Sequence, residues 1–168
     1  AAGDQVLFLR GARDTVDLCA IASAAPDSLR LVTYDHRLAF EGFDAPQQNV
    51  KAGQELAFHT YWRRVAAVNR VYFMDLVLLN DSGEASCSRP HPLAYGLYAP
   101  SAWPEATMVR ETARLLVPLD TEPGTYTLGF TMRWRGVGSR GAAQSDAQQG
   151  GGVVRLGRVT VAAGAGGR

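Results

Sequence analysis

Three histidines, His36, His59 and His91, are the side chains of this chain from which a metal site would most naturally be built. A zinc site needs three or four ligands that converge within about 2.3 Å of the ion. The histidines stand far apart in the sequence, and no HxH, HxxxH or CxxC spacing brings two ligands together locally. We therefore expect neither a metal nor another cofactor in this protein.

Hydrolytic chemistry has little support in the residue pattern. The chain has no GxSxG turn for a serine nucleophile, and neither Cys19 nor Cys87 stands in a catalytic signature. Asp75 and Glu111 are the acids that would have to meet across a sheet to act as a glycosidase pair. Asp75, however, is a lone polar residue in an apolar run, which favours a bond to a neighbouring arginine or tyrosine. The sequence thus predicts a protein that is not an enzyme, with a hydrolase acting on carbohydrate as the weaker alternative.

One segment has the residue types that a sugar site needs. Residues 89–105 read RPHPLAYGLYAPSAWPE, with four prolines and three large aromatic residues, which favours an ordered loop or edge segment over a central strand. Flat aromatic faces beside fixed polar groups suit a pyranose ring, whose C–H face is apolar and whose rim is polar. The commoner use of such rings, which we favour, is to cap the open end of a core. The predicted ligand-binding residues are Arg89, His91, Tyr95, Tyr98 and Trp103.

Runs that alternate apolar and polar side chains recur along the chain and predict strands. These strands must therefore position the candidate site residues. The run at Gln54–Trp62 places Phe58 and Trp62 on one face. The run at Arg70–Asn80 is apolar on both faces, which indicates a central strand. Further strands are expected at 6–10, 15–22, 29–38, 84–88 and 153–161, the last with a bulge at Gly157.

The most regular alternation extends over Val109–Arg135, where two runs are joined by a Pro-Gly turn. This pattern predicts an antiparallel pair of strands. Gly124 is expected to take a positive φ in the turn, and Tyr126 to bond its hydroxyl to the backbone as in a tyrosine corner. The second run places alternate apolar side chains on one face, namely Tyr126, Leu128, Phe130, Met132 and Trp134.

About eight or nine strands without crossover helices predict an all-β fold, an Ig-like antiparallel two-sheet sandwich. Its shared interior is expected to hold Phe58, Phe73, Leu128 and Phe130. The length of 168 residues suits a single domain. We expect that domain to occupy residues 1–161, with a flexible glycine-rich insertion at 136–152 and a flexible tail at 162–168.

Composition narrows the range of partners. Seventeen basic and sixteen acidic residues leave a formal net charge of +1, so no nucleic-acid partner is expected. No run of about 18 apolar residues is present that would span a bilayer, and no signal peptide is recognisable. Whether Cys19 and Cys87 form a disulfide stays open, because a disulfide needs Cα atoms within about 7 Å.

Seven short motifs follow one another along the chain, namely LVTYD at 31–35, VKAGQEL at 50–56, YW at 61–62, NDSG at 80–83, YAPSAW at 98–103, VRE at 109–111 and PGTY at 123–126. Their order resembles that of a known family. From about Leu29 to Val161 the chain is similar to the Ig-like β-sandwich that lies C-terminal to the membrane part of bacterial family-39-type (dolichyl-phosphate-mannose mannosyltransferase-like) glycosyltransferases. It is more broadly similar to the polysaccharide-binding sandwich of some O-antigen export ATPases. The chain departs from the pattern at Pro104-Glu105-Ala106, where Pro-Gly is usual, and in the insertion after Arg135.

The resemblance implies a non-catalytic accessory or binding module, extracytoplasmic in the periplasm or at the cell surface. Its partner would be a glycan or a membrane protein of the cell envelope, contacted through the loop from Arg89 to Trp103. Membrane association would come through that partner or through a segment outside this sequence. The alternative is a structural subunit or docking domain of a larger membrane protein assembly, which would use a sheet face or edge.

Overall fold

Ten strands make up the regular structure of the described residues, which in this computed structural model are 18–46, 48–136 and 148–164, with the backbone alone for 148–151. Two short 3₁₀ turns, Leu93–Gly96 and Pro100–Ala102, follow the seventh strand. The strands are β1 Cys19–Ile21, β2 Ser28–Tyr34, β3 Leu38–Phe43, β4 Asn49–Lys51, β5 Glu55–Arg64, β6 Arg70–Leu79, β7 Ala85–Pro92, β8 Met108–Leu116, β9 Gly124–Gly136 and β10 Gln148–Ala162.

The strands form two five-stranded sheets that pack face to face. The first sheet has the order β1-β8-β5-β3-β2, and the second has the order β4-β10-β9-β6-β7. All neighbours are antiparallel except β4 and β10, which run parallel. The chain is therefore an all-β, Ig-like two-sheet sandwich, as predicted. The strand count exceeds the expected eight or nine because the sequence signal missed the three-residue β4 and merged β2 with β3.

The core lies between the inner faces of the two sheets. Phe40 and Trp62 of the first sheet meet Phe130 of the second, with ring centroids 5.0 to 5.7 Å apart. Tilted and edge-to-face arrangements at these distances add to the stabilisation from burial. The predicted inward positions of Phe58, Leu128 and Phe130 are confirmed, since all three are buried.

Phe73, in contrast, is not a core residue. Tyr72 and Met74 of β6 are buried in the core cluster, and a period of two places Phe73 on the outer face of the second sheet, where it is half-buried. The prediction was wrong because β6 is apolar on both faces, so its alternation does not indicate which face is inside. The strand predicted to be central is an interior strand of its sheet, since β6 lies between β9 and the edge strand β7.

The expected hairpin within Val109–Arg135 is also absent. β8 pairs with β1 and β5 in the first sheet, whereas β9 pairs with β10 and β6 in the second, so the connection between them crosses the sandwich. The tyrosine corner is confirmed, because the Tyr126 hydroxyl donates to the Glu122 carbonyl at 2.8 Å. Gly124 is not among the residues with positive φ, so that expectation was wrong.

A second difference lies at residues 29–38, which form the β2–β3 hairpin and not one strand. Asp35 and His36 turn the chain with φ values of 50° and 53°, and the Arg37 N–H donates to the Tyr34 carbonyl at 3.0 Å. Two consecutive positive φ values define a type I′ turn, the kind that joins twisted antiparallel strands.

The other predicted elements have mixed outcomes. The register of β9 and β10 shifts between Arg155 and Gly157, which confirms the bulge. β7 extends to Pro92, beyond the predicted end at 88. Residues 6–10, the first part of the strand at 15–22, most of the insertion (137–147) and the end of the tail (165–168) lie outside the described residues.

Candidate functional site

The segment from Leu93 to Trp103 crosses the side of the sandwich between β7 of the second sheet and β8 of the first. It begins directly after β7, an edge strand that contains Pro90 and Pro92. Proline has no N–H to donate, so these residues protect the edge against pairing with another strand. The chain then turns inward, because Leu93 and Ala94 are both buried.

A polar bridge inside the sandwich fixes the start of this segment. His91 of β7 and Glu111 of β8 both face the interior and are only 6% and 1% exposed. The His91 Nε2 atom lies 2.7 Å from Glu111 Oε1, and the Ala94 N–H donates to the same oxygen at 2.7 Å. The bridge thus joins the two sheets and supplies the hydrogen bonds that a buried carboxyl group requires.

The bridge extends into the first sheet through Thr60, the register partner of Glu111 on β5. The Thr60 hydroxyl donates a long bond of 3.5 Å to Glu111 Oε2 and accepts the Trp62 Nε1–H at 2.8 Å. Each partner in this network is buried. The arrangement ties the bridge to the aromatic core.

Two consecutive residues after the bridge have left-handed backbones. Ala94 has φ 50° and ψ 34°, and Tyr95 has φ 55° and ψ 14°. Such conformations cost about 1 to 3 kcal/mol per non-glycine residue and persist only where the surroundings determine them. Here Ala94 is held by Glu111, and the Tyr95 hydroxyl donates to the Thr112 carbonyl at 2.7 Å. Burial, followed by the charge of Glu111, raises the pKa of Tyr95 to about 12.

Four of the five predicted site residues meet in two ring contacts. The rings of His91 and Tyr95 meet edge-to-face with centroids 4.6 Å apart, and those of Tyr98 and Trp103 meet at 6.2 Å. Arg89 is exposed on β7, and it opposes the rise that burial causes in the pKa of the Cys87 thiol.

Capping of the core is what the structure shows for Trp103. Its side chain is 1% exposed, and its Nε1–H donates to the Tyr98 carbonyl at 2.8 Å. Neither Trp103 nor His91 offers a free ring face to a sugar, so these two residues do not form the open aromatic platform that was the less favoured alternative to capping. Ligand contact by Arg89, Tyr95 and Tyr98 stays a prediction.

The predicted acid pair does not form. Glu111 faces the interior from the first sheet, whereas Asp75 lies on the outer face of the second sheet. Asp75 instead accepts two hydrogen bonds from Arg133, as the alternative interpretation predicted. No local sequence pattern indicates the bridge between His91 and Glu111, because the two residues lie on strands of different sheets.

The remaining candidate residues are dispersed. His59 Nδ1 lies 3.1 Å from Thr112 Oγ1 on the outer face of the first sheet, and His36 is in the β2–β3 turn. Within the described ranges, no three His, Cys, Asp or Glu residues are grouped to hold a metal. Cys19 and Cys87 are buried and do not form a disulfide. No helix in the part of the chain that the structure describes is long and apolar enough to cross a membrane.

The fold and the bridge define an Ig-like β-sandwich whose two sheets are joined by a buried polar network. No protein-family model matches the chain, and no curated protein matches its sequence. Among solved structures, it is similar to a Niemann-Pick type C2 protein from the Japanese carpenter ant. The identity is 8%, the match covers 68% of this chain and 79% of that chain, and the TM-score is 0.36.

Proposed function

We propose that this protein is a non-catalytic binding module that works outside the cytoplasm and contacts a cell-envelope glycan through the segment Leu93–Trp103. The observation that carries the proposal is the left-handed pair Ala94 and Tyr95, held by bonds to Glu111 and Thr112. Strained backbone fixed by its surroundings is typical of segments that present side chains to a ligand. The resemblance to sandwiches attached to membrane glycosyltransferases supports the extracytoplasmic position.

Leu97 and Tyr98, which we call the tip of the segment, have side chains suited to contact with a sugar. Leu97 is 52% exposed, and its neighbour Tyr98 is half-buried with its ring packed against the core. An apolar side chain beside a tyrosine hydroxyl matches the apolar C–H face and polar rim of a sugar. Because Tyr98 is anchored by packing, little conformational entropy would be lost on binding.

Isothermal titration with cell-envelope polysaccharides tests the proposal. Leu97→Ser and Tyr98→Phe alter the tip while leaving the buried bridge in place, and each should weaken binding about fivefold or more. Leu116→Ser is the matched control, because Leu116 is equally exposed but lies at the end of β8 in the first sheet. Absence of heat with every glycan, or equal affinities of tip and control variants, would rule the site out.

A docking role is the second candidate, and strand β2 favours it. This edge strand of the first sheet has seven residues and no proline, with Leu29 and Leu31 78% and 68% exposed. The edge strands β1 and β4 are only three residues long, and β7 is protected by its prolines. Long apolar edges are where another chain adds a strand.

Co-purification from native membranes separates the two roles. A stoichiometric protein partner that is lost in Leu31→Lys, together with no affinity for sugar, would favour the docking role. Retention of that partner by the variant would exclude β2 as the interface. In either role we propose that membrane association comes through the partner.

A further inference from the structure

The outer face of the second sheet has an aromatic ring covered by two cations. The guanidinium carbons of Arg133 and Arg135 lie 5.9 and 5.5 Å from the centroid of the Phe73 ring. Arg133 and Arg135 are two residues apart on β9, and Arg133 is the register partner of Phe73 on β6. Both distances are within the range in which a cation is attracted by the ring face.

The charge of Arg133 is compensated by Asp75. Two nitrogens of its guanidinium donate to the two carboxylate oxygens, with 2.6 Å between Nη2 and Oδ1 and a second, short bond from Nε to Oδ2. This bidentate pairing raises the pKa of Arg133 and fixes the plane of its guanidinium. Arg133 therefore orders the surface without adding net charge.

The positive charge of Arg135, in contrast, is available to a ligand. It is exposed, and no acidic side chain within the described residues pairs with it. Contact with the Phe73 ring restricts the orientation of the Arg135 side chain. Less conformational entropy is therefore lost when its planar guanidinium binds a ligand. An ordered, uncompensated guanidinium of this kind suits a planar carboxylate, which it can bind through two parallel hydrogen bonds.

Apolar groups adjoin this cation on the same face. Pro92 of β7 is the register partner of Phe73, and Pro90 is the register partner of Asp75. Both prolines are exposed, rigid and without an N–H that would need a partner. Together with Phe73 they form an apolar surface beside the guanidinium, which is the complement of a sugar ring that has a charged substituent.

We propose that this face, formed by Phe73, Pro92, Arg133 and Arg135, is a second binding site, which takes a carboxylate-bearing saccharide. The carboxylate accepts hydrogen bonds from the guanidinium of Arg135, and the C–H face of the sugar packs on Pro92 and the edge of Phe73. A membrane surface fits less well. Among the described residues of this face, Arg135 and Arg155 are the arginines without an acidic partner, which is fewer than the about four to eight basic residues that anionic lipids attract. This site is separate from the segment Leu93–Trp103.

Titration of the full chain with trigalacturonic acid and with its methyl ester tests the site. The ester keeps the sugar rings and removes the charges, so the acid should bind about tenfold more tightly. Arg135→Ala should remove that preference. Arg158→Ala is the matched control, because it removes the same charge from an exposed position elsewhere in the same sheet and should change affinity less than about twofold. Phe73→Leu should give an intermediate loss.

Three results would overturn the site. They are no saturable binding of the acid, equal affinities for acid and ester, and equal losses in Arg135→Ala and Arg158→Ala. Binding to vesicles of anionic lipid but not to the acid would assign the face to a membrane instead. Leu97→Ser, which alters the tip of the other segment, should bind trigalacturonic acid as the unchanged protein does, so the two proposals fail independently.

Discussion

His91 of the second sheet and Glu111 of the first meet in the interior of the sandwich, with 2.7 Å between Nε2 and Oε1. The same carboxylate oxygen accepts the N–H of Ala94, the first left-handed residue of the loop. One carboxyl group therefore links the two sheets and sets the path of the segment between them. Sheet packing and loop conformation should respond together when it is changed.

Replacing Glu111 should be among the costliest single changes in this protein. Glu111→Ala leaves His91 and the Ala94 N–H buried without their shared acceptor, and breaking a buried pair in this way costs about 3 to 5 kcal/mol. Glu111→Gln keeps an acceptor oxygen and the side-chain shape, so it should cost less. The free energy of unfolding from urea denaturation measures both changes.

Glu55→Ala provides the comparison for Glu111→Ala. Glu55 pairs with Arg114 across the same two strands, β5 and β8, but is exposed to solvent. Exposed pairs contribute about 0 to 1 kcal/mol, so this variant should be nearly as stable as the unchanged protein. Similar losses for the two alanine variants would show that the buried bridge is no more important than a surface pair.

Period-two patterning was sufficient to predict the sandwich but not its connections. Strands β5 and β9 have one clear apolar face each, so Trp62 and Phe130 were placed inside correctly. Alternation looks the same whether the next strand folds back beside the first or crosses to the other sheet, which is why β8 and β9 were paired wrongly. The tyrosine corner at Tyr126, recognised in the sequence, stands at this crossing and was the better indicator.

One turn of the fold and the buried bridge of the site were not predicted, because neither has a local sequence pattern that marks it. The β2–β3 turn lacks the glycine that usually marks a type I′ turn, since Asp35 and His36 take its place. Likewise, the bridge depends on which positions of two distant strands face each other, and no local spacing encodes that. The proline-rich segment was located correctly, and the burial of Trp103 agrees with the capping role that the sequence favoured for its rings.

Two tyrosine hydroxyls differ in what they contribute to stability. Tyr126 donates to the Glu122 carbonyl, so Tyr126→Phe should lower the free energy of unfolding by about 1 kcal/mol. The buried Tyr34 hydroxyl has no partner among the described residues, so Tyr34→Phe should be neutral or stabilising. Thermal and urea unfolding of the two variants compare them directly. A larger loss in Tyr34→Phe than in Tyr126→Phe would contradict both assignments.

Gly129 is required by close backbone approach. A Cβ at this position of β9 would lie 2.7 Å from the Val154 carbonyl oxygen and 2.8 Å from a methyl of Val153. Gly129→Ala should therefore destabilise the sandwich by about 1 to 3 kcal/mol, because the neighbouring β10 backbone must shift. Gly152→Ala in β10 is the control, since a Cβ there meets nothing within 4 Å. Equal unfolding midpoints for the two variants would be inconsistent with this contact.

Alkaline pH should weaken the fold through Tyr72. Burial, with a smaller contribution from Asp35, raises the pKa of Tyr72 to about 12, although Arg37 and Arg70 oppose the shift. In the unfolded chain a tyrosine ionises near pH 10, so the stability that Tyr72 contributes is complete below about pH 10 and is lost between about pH 10 and 12. The loss in that window should approach about 1.4 kcal/mol per pH unit.

Urea denaturation at several pH values between about 9 and 12 measures this loss. Tyr72→Phe removes the ionisable group, so its free energy of unfolding should fall less steeply with pH than that of the unchanged protein. The pKa values of Tyr61 and Tyr95 are also raised to about 12, but both tyrosines are present in both proteins, so their effects cancel in the comparison. Parallel pH profiles of the two proteins would show that Tyr72 ionises equally well in the folded state, against the burial of its hydroxyl.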